Sequence, residues 1–198
     1  GLKDLVTENG RVTGVIAEAD GAEITLHARR GVILACGGFE HNAEMRKKYQ
    51  REPIGSDWTT GAPSNTGDGI NASLKIGAAV SLMDDAWWGP TIPLPRGPWF
   101  ALSERSVPGT FIVNMRGERF MNESLPYVEA VHQMYGGEFG QVDGPGENVP
   151  GWLSFDQTCR NRYLFAGINA RQPLPKKWFD SGVVVKADTI AELADKIG

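Results

Sequence analysis

Two glycine-bearing turns are the part of this sequence best suited to chemistry. An apolar run from Gly31 to Cys36 ends in Gly37-Gly38, and further along Asn65-Thr66-Gly67-Asp68 opens a predicted helix. Glycine lets the backbone turn sharply and approach a ligand closely, because no Cβ intervenes. Free N–H groups at a helix start attract phosphate or hydroxyl oxygens. We therefore predict a nucleotide-type cofactor site, with contacts at Gly37, Gly38, Asn65, Thr66, Gly67 and Asp68.

Each of these signals also has a purely structural interpretation. Gly37 and Gly38 permit a tight turn between a strand and a helix without any ligand. Thr66 or Asp68 can cap the helix that follows. A dinucleotide-binding domain normally opens with Gly-x-Gly-x-x-Gly, and the sequence contains no such run. We therefore expect the chain to be a middle piece of a longer protein.

Composition and charge limit the classes of function. With 198 residues, 41% hydrophobic and 22% charged, the chain suits one or two ordinary globular domains. Its formal net charge of -4 disfavours a nucleic-acid partner, because such binding depends on neutralising phosphates. Cys36 and Cys159 fit neither a disulfide framework nor metal spacing, and we predict no metal site. Without a long apolar span we expect no membrane insertion, and the expected compartment is the cytoplasm.

Hydrophobic patterning predicts a β-rich first part with two helices. Turns at Asn9-Gly10 and Asp20-Gly21 separate three short strands. The apolar run 31–36 is expected to be a buried strand. The remaining predicted elements are helices at 42–49 and 68–76, a short apolar run at 78–83, strands at 109–114, 119–121 and 152–156, a long loop at 136–151, and a helix at 188–197 capped by Asp188.

The composition changes near residue 85. Tryptophan and phenylalanine occur among prolines between 84 and 100, which predicts an irregular segment with little periodicity. We therefore expect two domains, an α/β part at 1–85 and an α+β part at 86–198.

Several segments together resemble one group of flavoproteins. Residues 31–49 and 65–70, and above all the run from Arg119 to Tyr127, resemble the fumarate reductase and succinate dehydrogenase superfamily. Within it, they look most like the bacterial 3-ketosteroid Δ1-dehydrogenases, because of Asn122-Glu123-Ser124-Leu125-Pro126-Tyr127. The segments Ala86 to Pro90, Ile112 to Asn114 and Trp152 to Gln157 also fall in family order and spacing.

The resemblance implies a discontinuous FAD-binding domain with a catalytic domain inserted into it. Residues 1–85 would be the middle section of the FAD-binding domain, and 86–198 most of the catalytic insertion. The family removes two hydrogens from ring A of a 3-ketosteroid, and the hydride passes to N5 of FAD. FAD and a 3-ketosteroid are therefore the expected partners, while the sequence does not indicate the electron acceptor.

The resemblance also assigns site residues in the second part. The family's base is the tyrosine of the Asn-Glu-Ser-Leu-Pro-Tyr segment, so Tyr127 is the expected proton acceptor, with Asn122 and Glu123 as cofactor contacts. Phe100 falls at an apolar pocket position, and Trp88 is the second expected substrate contact, since flat aromatic faces suit a fused-ring lipid. The structural alternatives are packing for the aromatic residues and turn or cap chemistry for Asn122 and Glu123.

Three other functions stay open at this stage. A 3-ketosteroid 4-dehydrogenase would share the tyrosine and present another ring carbon to the flavin. A fumarate-type reductase would need cationic and imidazole groups to hold a dicarboxylate, and the second part has one histidine, His132, which disfavours it. The chain by itself can also be an inert or self-associating folded module. Whichever function the longer protein has, we expect the chain by itself to be colourless and catalytically silent.

Overall fold

A three-stranded antiparallel sheet opens the fold. In the computed structural model, which describes residues 1–136 and 146–198, the strands β1 (Leu2–Glu8), β2 (Arg11–Ala19) and β3 (Ala22–His27) lie in the order β1-β2-β3. The predicted turns are confirmed, since Asn9, Gly10, Asp20 and Gly21 all have positive φ, from 50° to 78°. This is the backbone of the type I′ turn, which matches the twist of a hairpin.

Two helices follow the sheet near their predicted positions. Helix α1 (Ala43–Tyr49) is capped by Asn42, whose Oδ1 accepts from the Met45 amide at 3.0 Å. Helix α2 (Asp68–Lys75) begins after Gly67, which has a φ of 82° that favours glycine. The Asn42 side chain thus caps α1, whereas α2 begins at Gly67 without a side-chain cap. The interpretation that Thr66 or Asp68 caps this helix is therefore wrong.

The buried strand expected at 31–36 is wrong. Residues 31–39 adopt no regular secondary structure, the Ile33 side chain is 94% exposed, and Cys36 is exposed. A strand is stable only when a neighbour takes up its backbone hydrogen bonds, and no described segment pairs with this one. The apolar run 78–83 is also unpaired, and its Leu82 is 81% exposed. Such surface is consistent with the expected self-association, which stays a prediction.

The segment expected to be irregular contains a hairpin instead. Strand β4 (Thr91–Leu94) pairs antiparallel with β5 (Gly97–Phe100), and Pro93 lies opposite Pro98. Both strands of a two-stranded hairpin are edges, so a proline without an N–H can be tolerated there. The prolines that hid the periodicity are therefore compatible with strand structure.

A second antiparallel strand pair, formed by strands far apart in the chain, and four short helices complete the described residues. Strand β6 (Thr110–Val113) pairs with β7 (Trp152–Phe155), while the return strand predicted at 119–121 is reduced to an isolated bridge between Val113 and Arg119. The predicted loop at 136–151 falls mostly on 137–145, outside the described residues. The helices are α3 (Tyr127–Met134), α4 (Gln157–Arg162), α5 (Lys176–Asp180) and α6 (Ile190–Ile197).

The cap predicted for the last helix is wrong by one residue. Thr189, not Asp188, is the N-cap, and its hydroxyl accepts from the Glu192 amide at 3.1 Å. Thr189 has the extended backbone of a cap residue, with a φ of -132°. None of the described helices is long and apolar enough to cross a bilayer.

The described chain divides into two compact units. The first comprises Gly1–Gln50 and Gly61–Met83, and the second comprises Arg51–Thr60 and Asp84–Gly198. The short segment Arg51–Thr60 thus belongs with the second unit although it precedes residue 85. That residues 1–85 belong to an FAD-binding domain and residues 86–198 to a catalytic domain stays a prediction.

The second unit holds three buried apolar clusters, and α3 contributes to two of them. Val131 of α3 packs with Trp88 and Tyr135, while Ala130 packs with Ile112 and Met121. The third cluster surrounds α5 and consists of Leu94, Phe165, Ala166 and Trp178. Because α3 packs into two clusters, the backbone of its first residue, Tyr127, is held in place.

We expect Trp178→Ala to destabilise the fold by about 3–5 kcal/mol, because it removes a large buried side chain and leaves a cavity. Trp178 is 1% exposed, whereas the next residue, Phe179, is 38% exposed. Phe179→Ala is therefore the matched control and should cost less than half as much. Urea unfolding of both variants measures the difference, and equal losses would contradict this description of the core.

Candidate active site

The Asn122–Tyr127 segment forms a turn that leads directly into α3. Asn122 Oδ1 accepts from the Ser124 amide at 3.0 Å, and the Leu125 amide donates to the Asn122 carbonyl at 3.1 Å. Pro126 occupies the cap position, where its missing N–H costs no helical hydrogen bond. Tyr127 is the first residue of α3 and is 38% exposed. The turn thus presents the Tyr127 ring at a helix start, partly open to solvent.

A buried arginine that the sequence analysis missed holds this turn from behind. Arg105 is 4% exposed and donates through Nη1 to the Glu123 carbonyl and through Nη2 to the Leu125 carbonyl, the latter at 2.7 Å. Burial lowers the pKa of the Arg105 guanidinium, and the nearby Glu123 charge opposes that shift. An isolated arginine in a loop shows no periodicity, so no sequence signal marked it.

The Glu123 carboxylate is engaged with the protein. Its Oε1 accepts from the Ile112 amide and from Arg119 Nε, each at 2.9 Å, and its Oε2 accepts from Arg119 Nη2 at 2.5 Å. Burial alone would raise the pKa of this carboxyl, but the donors from Arg119 and Ile112 outweigh burial and bring it below its ordinary value. Glu123 therefore ties the turn to β6, and a cofactor contact by Glu123 or Asn122 stays a prediction.

Two of the expected site residues, Phe100 and Tyr127, lie in direct contact. Their ring centroids are 5.6 Å apart with an interplanar angle of 74°, which is an edge-to-face arrangement. Behind Phe100 the backbone of Gly89 approaches so closely that a Cβ there would lie 1.7 Å from Phe100 Cε2. The Phe100 ring is thus confined between Gly89 and Tyr127, and it provides an apolar surface next to the Tyr127 side chain.

Trp88 has a different setting from Phe100. It is 8% exposed, packs with Val131 and Tyr135, and donates through Nε1 to Asp85 Oδ1 at 2.7 Å. Its neighbour Trp87 is 93% exposed. Most of the Trp88 surface is therefore occupied by the protein, and its contact with a substrate stays a prediction.

In the first unit, the two glycine-bearing turns lie against each other. The Gly67 amide donates to the Gly38 carbonyl at 2.9 Å, and a Cβ at Gly37 would lie 2.2 Å from Asn65 Oδ1. Glycine at 37 also has a φ of 81°, which other residues rarely adopt. The structure thus brings together the residues predicted to contact a cofactor in this unit.

Polar side chains surround these turns. Asn65 Nδ2 donates to Glu40 Oε1 at 2.6 Å, and the Thr66 hydroxyl donates to Asp68 Oδ1 at 2.6 Å. Glu40 was not predicted as a site residue, although it directly follows Gly37-Gly38-Phe39 in the motif. Carboxylates accept hydrogen bonds from hydroxyl groups and repel phosphates. This donor and acceptor set fits a hydroxyl-bearing part of a nucleotide cofactor better than its pyrophosphate.

The sequence pattern of the FAD binding domain family matches residues 2–192, and the chain belongs to that family. Over 98% of its length, it is 66% identical to the 3-oxosteroid 1-dehydrogenase of Mycobacterium tuberculosis. The chain spans 36% of that relative's length. The resemblance to 3-ketosteroid Δ1-dehydrogenases stated from the sequence is thus confirmed.

Two of the solved structures that are similar to the chain are ketosteroid dehydrogenases. The 3-ketosteroid Δ1-dehydrogenase of Sterolibacterium denitrificans, in complex with 1,4-androstadiene-3,17-dione, matches the whole chain with 38% identity and a TM-score of 0.88, over 36% of its own length. The 3-ketosteroid Δ4-(5α)-dehydrogenase of Rhodococcus jostii matches 68% of the chain with 31% identity and a TM-score of 0.51, over 26% of its own length. The chain therefore has the FAD-binding fold of fumarate reductase-type flavoproteins.

We expect acid to destabilise the wild-type chain more steeply than Glu123→Gln. In the folded state the pKa of Glu123 lies below its ordinary value of 4.5, so the pairing stabilises the fold fully above pH 4.5. That contribution is lost as the pH falls through the lower folded value. Urea unfolding at several values between pH 6 and 3 gives the free energy of unfolding of both proteins, and its dependence on pH is the acid slope compared here.

The control for this measurement is Glu192→Gln, which removes an ion pair with Lys196 whose side chains are 46% and 43% exposed. Solvent screens such a pair, so its loss should change the slope less than the loss of Glu123. If Glu123→Gln leaves the acid slope unchanged, the turn before α3 does not depend on this carboxylate.

We also expect Gly89→Ala to destabilise the second unit by about 1–3 kcal/mol, because the added methyl overlaps the Phe100 ring. Combined with Phe100→Leu, the change should cost less than the sum of the two single substitutions. Gly31→Ala is the control, since a Cβ added there would meet no atom within 4 Å beyond its chain neighbours. Strictly additive unfolding energies would show that Gly89 does not confine Phe100.

Proposed function

We propose that this chain is part of an FAD-dependent 3-oxosteroid 1-dehydrogenase that introduces a double bond into ring A of a 3-ketosteroid. The family membership and the similarity to 3-oxosteroid 1-dehydrogenases along nearly the whole chain support the assignment. The observation that carries it is the placement of Tyr127, partly exposed at the start of α3, against the ring of Phe100.

Tyr127 takes the proton from the carbon next to the steroid ketone. A general base must reach that proton within hydrogen-bonding distance and hold its orientation. The Arg105 donors and the packed helix α3 fix the backbone of Tyr127, while the Phe100 contact restricts rotation of its ring. Phe100 also gives the neighbouring surface an apolar face that suits the flat steroid skeleton and excludes water.

The turns of the first unit hold the cofactor. Gly37 and Gly38 bring the backbone close to it, and Asn65, Thr66, Gly67 and Asp68 offer hydrogen bonds to its hydroxyl groups. When bound, FAD supplies the acceptor for the two electrons removed from the substrate. This arrangement requires residues 1–85 to be the middle section of a discontinuous FAD-binding domain, with 86–198 as most of the catalytic insertion.

A 3-ketosteroid 4-dehydrogenase is the second candidate, supported by the similarity to the Rhodococcus jostii enzyme. The Tyr127 oxygen would again be the proton acceptor, for a steroid that presents a different carbon pair to the flavin. The lower identity and the smaller part of the chain that is matched favour the 1-dehydrogenase. The product of the reaction separates the two, because the new double bond lies at a different position.

We expect Tyr127→Phe to lower kcat by about 10²–10⁴-fold in the full-length protein that contains this chain, because the variant loses its proton acceptor. The substrate is 4-androstene-3,17-dione with an artificial electron acceptor, and the flavin absorption spectrum confirms that FAD is bound. Tyr163→Phe, a change of the same type at a partly buried position in the second unit, should retain wild-type turnover.

Three results would contradict the proposal in different ways. Near-normal turnover of Tyr127→Phe would remove Tyr127 as the base. Oxidation of a saturated 3-ketosteroid at the other carbon pair would favour the 4-dehydrogenase. Reduction of fumarate by a wild-type protein that ignores ketosteroids would place the protein on another branch of the superfamily.

A further inference from the structure

We infer that His132 and Asp85 form a positioning pair, which holds the Tyr127 and Phe100 rings in the relative positions that proton abstraction requires. The inference rests on the proposed function of Tyr127. Neither residue was singled out by the sequence as part of the site, and neither is placed here in contact with the substrate or the cofactor.

The His132 side chain is buried between two carboxylates. It is 3% exposed, its Nε2 lies 3.1 Å from Asp85 Oδ1, and its Nδ1 lies 3.3 Å from Glu129 Oε2. Both ring nitrogens therefore lie within hydrogen-bonding distance of a carboxylate oxygen, and the imidazole links α3 to the segment that precedes β4. A buried polar group with both partners in place fixes two elements relative to each other more specifically than apolar packing does.

Asp85 is the point at which this link reaches the aromatic segment. Its Oδ1 also accepts from Trp88 Nε1 at 2.7 Å and from the Ala86 amide at 2.9 Å. Burial alone would raise the pKa of Asp85, but the hydrogen bonds from His132, Ala86 and Trp88 outweigh it and lower the pKa below its ordinary value. One carboxylate oxygen thus gathers donors from α3 and from the chain between Asp85 and Trp88.

From Trp88 the connection continues to Phe100. The next residue, Gly89, lies against the Phe100 ring, and the carbonyl of Pro90 accepts from the Ala101 amide at 2.9 Å. Thr91 then pairs with Phe100 across the β4–β5 hairpin. The position of Asp85 therefore sets the position of the backbone that carries and supports Phe100.

From His132 the connection runs back along α3 to Tyr127. Within this helix Ala130 is fully buried, and its amide donates to the Pro126 carbonyl at 2.9 Å. The contacts thus close a ring: Tyr127 begins α3, His132 joins α3 to Asp85, Asp85 holds Trp88, Gly89 supports Phe100, and Phe100 meets Tyr127. Loss of the His132–Asp85 contact interrupts this closed chain of contacts, so Tyr127 and Phe100 are no longer held relative to each other from both ends.

The first test is steady-state kinetics of the full-length, FAD-loaded protein with 4-androstene-3,17-dione. We expect His132→Ala to lower kcat about 10- to 100-fold with a smaller change in KM, because a small misplacement of a catalytic group costs about 10²-fold. His132→Gln can still donate to Asp85 and should recover most of the loss. His27→Ala, at an exposed position of β3, is the control and should leave both constants unchanged.

The second test repeats His132→Ala in the Tyr127→Phe background. A residue that acts only through Tyr127 has nothing left to position there, so we expect little further loss of the residual rate. An equal fold-loss in both backgrounds would show general damage to the fold and overturn the inference. Unchanged kinetics of His132→Ala in the wild-type background would overturn it as well.

The third test does not depend on activity. Hydrogen–deuterium exchange of amides 128–131 should be faster in His132→Ala than in wild type and unchanged in His27→Ala, because α3 loses the contact with Asp85 that His132 makes in its second turn. Exchange that does not respond would overturn the inference. A wild-type protein that fails to oxidise ketosteroids would overturn the proposed function instead, and the exchange result would still decide whether His132 holds this helix start.

Discussion

A buried guanidinium behind the turn at residues 122–127 is the interaction on which the candidate active site depends. Arg105 donates to the carbonyls of Glu123 and Leu125, and the Glu123 carboxylate in turn accepts from Arg119 and the Ile112 amide. These bonds satisfy buried polar groups of a turn that has no sheet or helix of its own. With the turn fixed, α3 begins at one defined residue, and its apolar face packs against two clusters. The Tyr127 phenol is consequently anchored by the protein on one side and exposed on the other.

In the first unit, backbone and side-chain hydrogen bonds also fix irregular segments, here the two glycine-bearing turns. Two turns meet at glycines, since a Cβ at Gly37 would collide with the Asn65 side chain and the Gly67 amide donates to the Gly38 carbonyl. The polar side chains around them already share hydrogen bonds, so a bound molecule would meet a preorganised surface. Glycine thus serves close backbone approach here, whereas at Gly89 in the second unit it makes space for an aromatic ring.

Local chemistry made much of the fold predictable from the sequence. The Asn9-Gly10 and Asp20-Gly21 turns and the helix that follows Asn42 rest on residues that act within a few positions of themselves. The strand expected at 31–36 failed because strand structure needs a partner, and apolar composition cannot supply one. The helix α3 was missed because eight residues that begin at a proline-tyrosine step give little periodic signal. The β4–β5 hairpin was missed because its prolines resemble those of an irregular segment.

In the candidate site, too, some residues could be predicted from the sequence and others could not. Tyr127 and Phe100 were predicted through a family resemblance, and their contact emerges only in three dimensions. Arg105, Asp85 and His132 act across long sequence separations, so no short motif could have revealed them. The most direct test of the central claim is a crystal structure of the full-length protein with FAD and a bound 3-ketosteroid. We predict the Tyr127 hydroxyl within about 3.5 Å of the carbon next to the ketone, since a base must approach its proton that closely. A steroid bound with that carbon against another residue, and Tyr127 remote from it, would contradict the account.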